Sequence, residues 1–334
     1  MNEALVLTWA FLLAFAVLAY VILDGFDLGI GILLPFARDD DDRDIMINSV
    51  APVWDGNETW LILGGGGLFA VFPLAYAIIM PGIYLPALFM LMGLVFRGVA
   101  FEFRFKTIRA RRYWDWGFIA GSALAAFMQG VILGTIISGI ETDGRQFTGG
   151  AFSWFSGFSM LTGLSVVIGY ALLGAGWLVL KTEGQLQSRM RTLALPALGG
   201  TLLAIAAVSA WTPFRHPEVA ERWFAWPNIA FLSPVPLLVA GLAALVFYGL
   251  TSRRELMPFL ASIGLFTLSF IGLGISFFPY VVPESVTIWE SAAPSSSLWF
   301  MLAGAAVLLP LILAYTAYAY WIFRGKVTKE TGYH

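Results

Sequence analysis

Cysteine is absent from all 334 residues, which excludes disulfides, thiolate metal sites, iron–sulfur clusters and cysteine nucleophiles together. Histidine is almost as scarce. His216 and His334 both lie in polar stretches, so the chain on its own is poorly equipped to ligate a metal or a haem. Asp, Glu, Lys and Arg make up only 12% of the residues, about half of the ~25% in an ordinary globular chain. A formal net charge of −2 supplies no basic field for nucleic acid. What is present instead is apolar: 59% hydrophobic residues, 16% aromatics and a mean hydropathy of +0.81. That leaves too little charge to solvate a globular surface, so the outside of this chain meets lipid.

Met1-Asn2-Glu3-Ala4 is acidic and runs into an apolar stretch too long for a signal-peptide core, so it is read as part of the protein. A membrane span needs about 20 mostly apolar residues. Nine runs qualify, at about 5–36, 53–77, 80–103, 115–138, 154–180, 193–213, 230–250, 257–279 and 298–323. They are continuous rather than alternating, which predicts an all-α polytopic bundle and not a barrel. The first run would rise ~48 Å against a hydrocarbon core of ~30 Å. It is therefore expected to bend or leave the membrane near Gly25, Gly29 and Gly31. With no linker long enough to part soluble domains, residues 1–334 read as one integral membrane domain. About 1–140 would form a first bundle bearing the intramembrane charges, and about 150–334 an apolar second half.

Lys and Arg alternate in density between the loops. Fifteen, from Arg38 to Lys329, fall on one side, against Arg145, Arg215 and Arg222 on the other, while Arg97 lies within a span. By the positive-inside rule this puts the N-terminus outside and the C-terminus in the cytoplasm. Asp39-Asp40-Asp41-Asp42, on the inner side, reads as a solvated loop.

The first three spans contain or border Asp24, Asp27, Asp55, Glu58, Arg97 and Glu102, all towards the inner end, whereas spans five to nine have essentially no charge in their interiors. Asp24 and Asp27 are spaced i,i+3, as are Asp55 and Glu58, so each pair shares a helix face. Charge within a membrane is costly and commonly marks an ion or proton route. Several carboxylates with one arginine suit proton uptake from the cytoplasm. Structural roles stand beside this reading. Asp55 and Glu58 resemble a capping box, Arg97 suits a staple to Asp24, Asp27 or Glu102, and Asp24 and Asp27 could sit in a hydrated turn. Spacing alone leaves these open.

Gly64-Gly65-Gly66-Gly67 lacks the following Lys of a phosphate loop and reads as a site of close helix approach. Trp54, Trp60, Trp114 and Trp116 near helix ends suit an interfacial belt. Met90, Met92 and Met128 are weak haem candidates without a histidine in any span.

Two stretches, Leu23-Asp24-Gly25-Phe26-Asp27-Leu28-Gly29 and Met46-Ile47-Asn48-Ser49-Val50-Ala51-Pro52-Val53-Trp54-Asp55-Gly56-Asn57-Glu58-Thr59-Trp60-Leu61, resemble subunit II of the cytochrome bd quinol oxidases. Phe96-Arg97-Gly98-Val99-Ala100-Phe101-Glu102-Phe103-Arg104, Trp114-Asp115-Trp116-Gly117, Phe278-Pro279-Tyr280-Val281-Val282-Pro283 and Tyr315-Thr316-Ala317-Tyr318-Ala319-Tyr320-Trp321 extend the resemblance along the whole chain. The compact length is similar to the cyanide-insensitive branch. The resemblance implies two four-helix bundles plus one peripheral helix, in a bacterial cytoplasmic membrane. It implies a complex that oxidises quinol and reduces dioxygen to water, electrogenic without pumping. Two b-type haems, haem d and the quinol site would belong to a homologous subunit I, leaving this chain without a ligated cofactor. A bound quinone and a small accessory subunit are left open.

Carried over by position, Asp55 matches the family carboxylate of the proton path. Asp24 is a second relay, with Asp27 orienting it or pairing with Arg97. Glu58 stands where other members carry Gln, and Trp60 matches a position beside the apolar oxygen route. A proton-coupled transporter and a purely structural subunit are the rival readings. The transporter is disfavoured because spans five to nine lack polar groups at mid-membrane.

Overall fold

In the computed structural model, residues 2–107 and 109–328 are described; Lys329 and His334 lie outside them. Asn2 caps α1 (Glu3–Leu33) by accepting from the Leu5 amide. A short 3-10 turn, Leu34–Phe36, leads into α2 (Asp40–Asn48), and α3 (Trp54–Val71) turns back. Next come α4 (Pro73–Gly82), α5 (Tyr84–Arg104), α6 (Arg111–Ile137), α7 (Gly157–Lys181) and α8 (Gly184–Arg215). Two short helices, α9 (Pro217–Phe224) and α10 (Asn228–Leu232), precede α11 (Pro234–Thr251) and α12 (Leu256–Phe277). A hairpin of β1 (Tyr280–Val282) and β2 (Val286–Thr287), then α13 (Ile288–Ser291), connects to α14 (Ser295–Ile322). Among the described residues, eight helical stretches are long and apolar enough to cross a membrane. With α3, whose first turns carry Asp55 and Glu58, the chain is an all-α polytopic membrane protein of about nine passes.

The passes alternate in direction. At the face where α1 begins, the Trp9 indole donates to the Leu298 carbonyl at the start of α14 (3.1 Å). At the opposite face the Lys181 ammonium, closing α7, donates to the Phe323 carbonyl just past the end of α14. Helix α1 packs on α3, α6 and α7, α5 on α6, α12 on α7, and α11 on α12 and α8. Of α14 only Leu298 is buried, so this last helix lies at the periphery. One apolar core runs through α1, α5, α6, α7, α8, α11 and α12. A second sits at the N-terminal face, where Val71, Ala75 and Ile78 meet Leu5, Val6, Val282 and Ile288.

Two expectations are corrected here and one is refined. First, α1 continues as one helix through its glycines for 31 residues, rising about 46 Å at ~1.5 Å per residue. Its glycines serve neighbours instead. A Cβ on Gly29 would lie 1.9 Å from the Tyr170 carbonyl oxygen, and one on Gly31 2.1 Å from Ser122 Oγ. Gly174 of α7 faces Gly29 in the same way, so the two backbones touch. Gly29→Ala is accordingly expected to force α1 and α7 apart, costing about 1–3 kcal/mol or more by overpacking. Loss of monodisperse protein on size exclusion, with Gly65→Ala as an exposed control, is the measurement.

Second, the run at 53–77 is two helices. Pro73 lacks an amide proton and disfavours helical geometry at Phe72 (φ −123, ψ 63), ending α3 at Val71. Helix α4 tucks beneath the hairpin, where the Ala75 amide donates to Ser291 Oγ (2.8 Å). Third, the Asp39–Asp42 run is not a loop. Asp39 caps α2 by accepting from the Asp42 amide (2.9 Å), and Asp42 pairs with Arg189 of α8 (3.0 Å). Acidic residues in a first helical turn complement the macrodipole.

Candidate functional site

Gly93 of α5 and Gly121 of α6 let those two helices cross at backbone contact, for a Cβ on Gly121 would sit 2.5 Å from the Gly93 carbonyl oxygen and 2.9 Å from the Arg97 amide. That crossing presses Arg97 into the bundle. Its guanidinium lies 5.9 Å from the ring centroids of both Trp54 and Phe118, and its side chain is fully buried. Three carboxylates converge on it. Nη1 is 3.3 Å from Asp24 Oδ1 and 3.8 Å from Glu58 Oε2, while Nη2 is 3.8 Å from Asp27 Oδ2. Asp24 and Asp27 are also fully buried, and Glu58 retains 29% side-chain exposure.

Around this centre the polar groups are incompletely paired. Asn57 Nδ2 donates to Asp27 Oδ2 (2.8 Å), and the Tyr320 hydroxyl of α14 donates to Asn57 Oδ1 (2.8 Å). Asp24 Oδ2, Asp27 Oδ1 and two guanidinium nitrogens are buried without a hydrogen-bond partner. Deeper in the bundle, Gln129 of α6 donates to the Tyr20 hydroxyl (2.6 Å) and accepts from Tyr170 of α7 (2.7 Å). Tyr20 stands one turn before Asp24 on α1. Gly25 makes room for the Tyr170 ring, which a Cβ would approach to 2.7 Å. Between α3 and α14, a cavity of about 20 Å³ is lined by residues including Gly56, Asn57, Thr316 and Tyr320. That is room for about one water.

The structure thus brings together Asp24, Asp27, Glu58 and Arg97. The hydrated-turn alternative for the two aspartates is excluded by their burial within α1. Asp55 stays outside the cluster, exposed in the first turn of α3. Nor is Asp55–Glu58 a capping box, because the N-cap of α3 is Val53 and makes no side-chain cap bond. Glu102 points away from Arg97 to Lys106 (3.3 Å) at the surface. Trp60 is 2% exposed, edge-on to Phe15 and packed on Ala16 and Tyr20, so it belongs to the interior and not to a belt. Trp54 stacks on Phe101, and Trp116 remains exposed as a belt residue would. Of the four glycines, Gly64 and Gly67 face Val17 and Leu13 of α1, while Gly65 and Gly66 face outward.

Sequence reading assigned no role to Asn57, Tyr320 or Gln129. A lone glutamine in the middle of an apolar span is the signal that marks the last. It also passed over a second ion network at the C-terminal face. There Arg104, closing α5, pairs with Asp115 of α6 and with Asp44 of α2 (2.6 Å), and Arg111 pairs with the same Asp44. These pairs latch α2 across the bundle end.

With about nine passes and one guanidinium buried among three carboxylates from the first three of them, the chain is a polytopic membrane protein that holds an ionisable cluster in its bundle interior. The chain belongs to the cytochrome bd terminal oxidase subunit II family, whose sequence model matches residues 5–323. It is 34% identical to cytochrome bd-I ubiquinol oxidase subunit 2 of Escherichia coli K12, covering 98% of this chain and 96% of that one. Against cytochrome bd ubiquinol oxidase subunit 2 of Bacillus subtilis 168 the identity is 30%, over 96% of each. The fold is shared with the bd oxidase structure from Geobacillus thermodenitrificans: TM-score 0.78, 18% identity, 96% of this chain and 99% of the other.

Proposed function

We propose that this chain is the subunit of a bd-type quinol:oxygen oxidoreductase that carries no haem and lines part of the proton route from the cytoplasm. Its partner is the haem-bearing subunit I, and the complex sits in the bacterial inner membrane with the α1 start facing outward. Haems on that partner supply electron transfer and oxygen reduction. Among the described residues none suits such a group, since His216 stands at the α8–α9 junction outside the spans and Met90 is packed in the core.

The observation that carries the proton-route reading is the imbalance at Arg97. Three carboxylates share one guanidinium, and leaving two negative charges uncompensated in a buried site is costly. Such a site accommodates exchangeable protons. Exposure falls along a line: Asp55 is exposed, Glu58 one turn further in is partly exposed, and Asp24 is fully buried. Arg97 Nη1 touches both Glu58 and Asp24, which joins the outer step to the inner one. The single-water cavity beside Asn57 offers hydration at the same level. Asp27, held by Asn57 and through it by Tyr320, positions the cluster.

Purifying the tagged chain under mild detergent tests the assignment. A second large membrane subunit bearing haem absorption should accompany it, with quinol-driven oxygen consumption. A colourless chain that catalyses solute uptake would overturn the reading in favour of a transporter. Within the oxidase, Asp55→Asn is expected to slow turnover a few-fold at unchanged haem content, because it lies at the exposed mouth; unchanged oxygen consumption would remove Asp55 from the route.

A further inference from the structure

Far from the Arg97 cluster, at the N-terminal face, His216 closes α8 and is only 2% exposed. Its Nε2 lies 2.6 Å from the carbonyl oxygen of Ile137 at the end of α6. A carbonyl oxygen only accepts, so Nε2 carries the proton there and directs the Nδ1 lone pair of the neutral ring outward. Two carboxylate oxygens face that lone pair: Glu284 Oε1 at 2.7 Å, from the turn between β1 and β2, and Glu218 Oε1 at 3.1 Å, from the first turn of α9. Three acceptors pointed at one another repel unless a proton or a metal cation lies between them. A histidine whose second ring nitrogen donates to a backbone carbonyl is the arrangement that orients imidazole for a metal. The Phe277 ring, 5.4 Å away and perpendicular, holds the imidazole from the side.

We propose that His216 Nδ1, Glu218 and Glu284 bind a divalent transition ion, with Zn²⁺ the best match. One imidazole nitrogen and two carboxylate oxygens form a borderline donor set that favours Zn²⁺ over the hard ions Mg²⁺ and Ca²⁺. The three donor atoms lie within 4.8 Å of one another, so a small inward turn of the two half-exposed glutamates brings all three to ~2.0–2.2 Å from one ion. Both glutamates are about half exposed, so a fourth position faces the aqueous side and takes water. The ion would clip the hairpin to the α8–α9 junction, which His216 ties to the end of α6.

The test uses the detergent-purified chain with its partner subunit, stripped by chelator and dialysed against Zn²⁺ with excess Mg²⁺. One Zn²⁺ per chain should be retained, absorption fine structure should show a nitrogen and oxygen shell with an imidazole signature, and the thermal midpoint should rise on loading. Glu284→Gln and Glu218→Gln, both at exposed positions, should each weaken retention at least tenfold while leaving the metal-free thermal midpoint unchanged. His216→Asn should abolish retention. No Zn²⁺ above the Mg²⁺ background, or retention unchanged in both glutamine variants, would overturn the proposal and leave an imidazolium–carboxylate ion pair in its place.

Discussion

Arg97→Ala should all but abolish accumulation of the assembled protein in the membrane. The substitution leaves Asp24 and Asp27 fully buried with no cation, and removes the group stacked between Trp54 and Phe118. Removing one partner of a buried ion pair costs about 3–5 kcal/mol, a large share of the ~5–15 kcal/mol that holds a typical domain together. Three carboxylates lose their partner here, two of them fully buried, so the upper end applies. Arg97→Lys keeps the charge but cannot meet Asp24 and Asp27 with separate nitrogens, and should give intermediate yield. Quantifying protein and haem in membranes checks this. Wild-type yield and thermal stability in Arg97→Ala would show that the cluster is not the structural centre of the first three passes.

Asp24→Asn should separate assembly from activity. An amide fills the same volume, and Arg97 still faces Asp27 and Glu58, so haem content should stay near wild type. An amide does not take up and release a proton at neutral pH, and loss of a positioned proton-transfer group typically costs a factor of about 10² or more. Quinol-driven oxygen consumption per haem should fall by at least about tenfold, given partial substitution by Glu58. Asp27→Asn should fall less, because Asp27 is tied to Asn57 and Tyr320 rather than standing between Glu58 and the interior. A purely structural cluster gives the opposite pattern: lower haem yield with normal turnover per haem.

Much of this was legible beforehand for identifiable reasons. Long apolar runs leave a helical bundle as the way to satisfy backbone polar groups in lipid, so a bundle of about nine passes could be read from hydropathy. Asp24, Asp27, Glu58 and Arg97 stand out because charge is rare in spans, and i,i+3 spacing already placed the two aspartates on one face. What spacing could not show is depth. Asp55 and Glu58 share a motif, yet only Glu58 reaches Arg97, because Asp55 lies one turn nearer the aqueous end of α3. Glycines in α1 suggest a bend from sequence alone, and the structure shows that they are contact points. A glycine carries no mark in sequence of whether it frees its own backbone or admits another's, and here Tyr170 and Gly174 decide. The ring nitrogens of His216 were invisible for a similar reason. Its partners Ile137 and Glu284 are 79 and 68 residues away.

The most direct test concerns proton uptake itself. In liposomes with the oxidase oriented and a pH indicator in the compartment facing the α14 end, an oxygen pulse should remove protons from that compartment, while quinol oxidation releases its protons on the other side. In wild type this uptake should keep pace with oxygen reduction. In Asp24→Asn it should lag by the same factor as turnover, while haem reduction by quinol stays fast. Uptake in Asp24→Asn at the wild-type rate and from the same side would contradict a route through the Arg97 cluster.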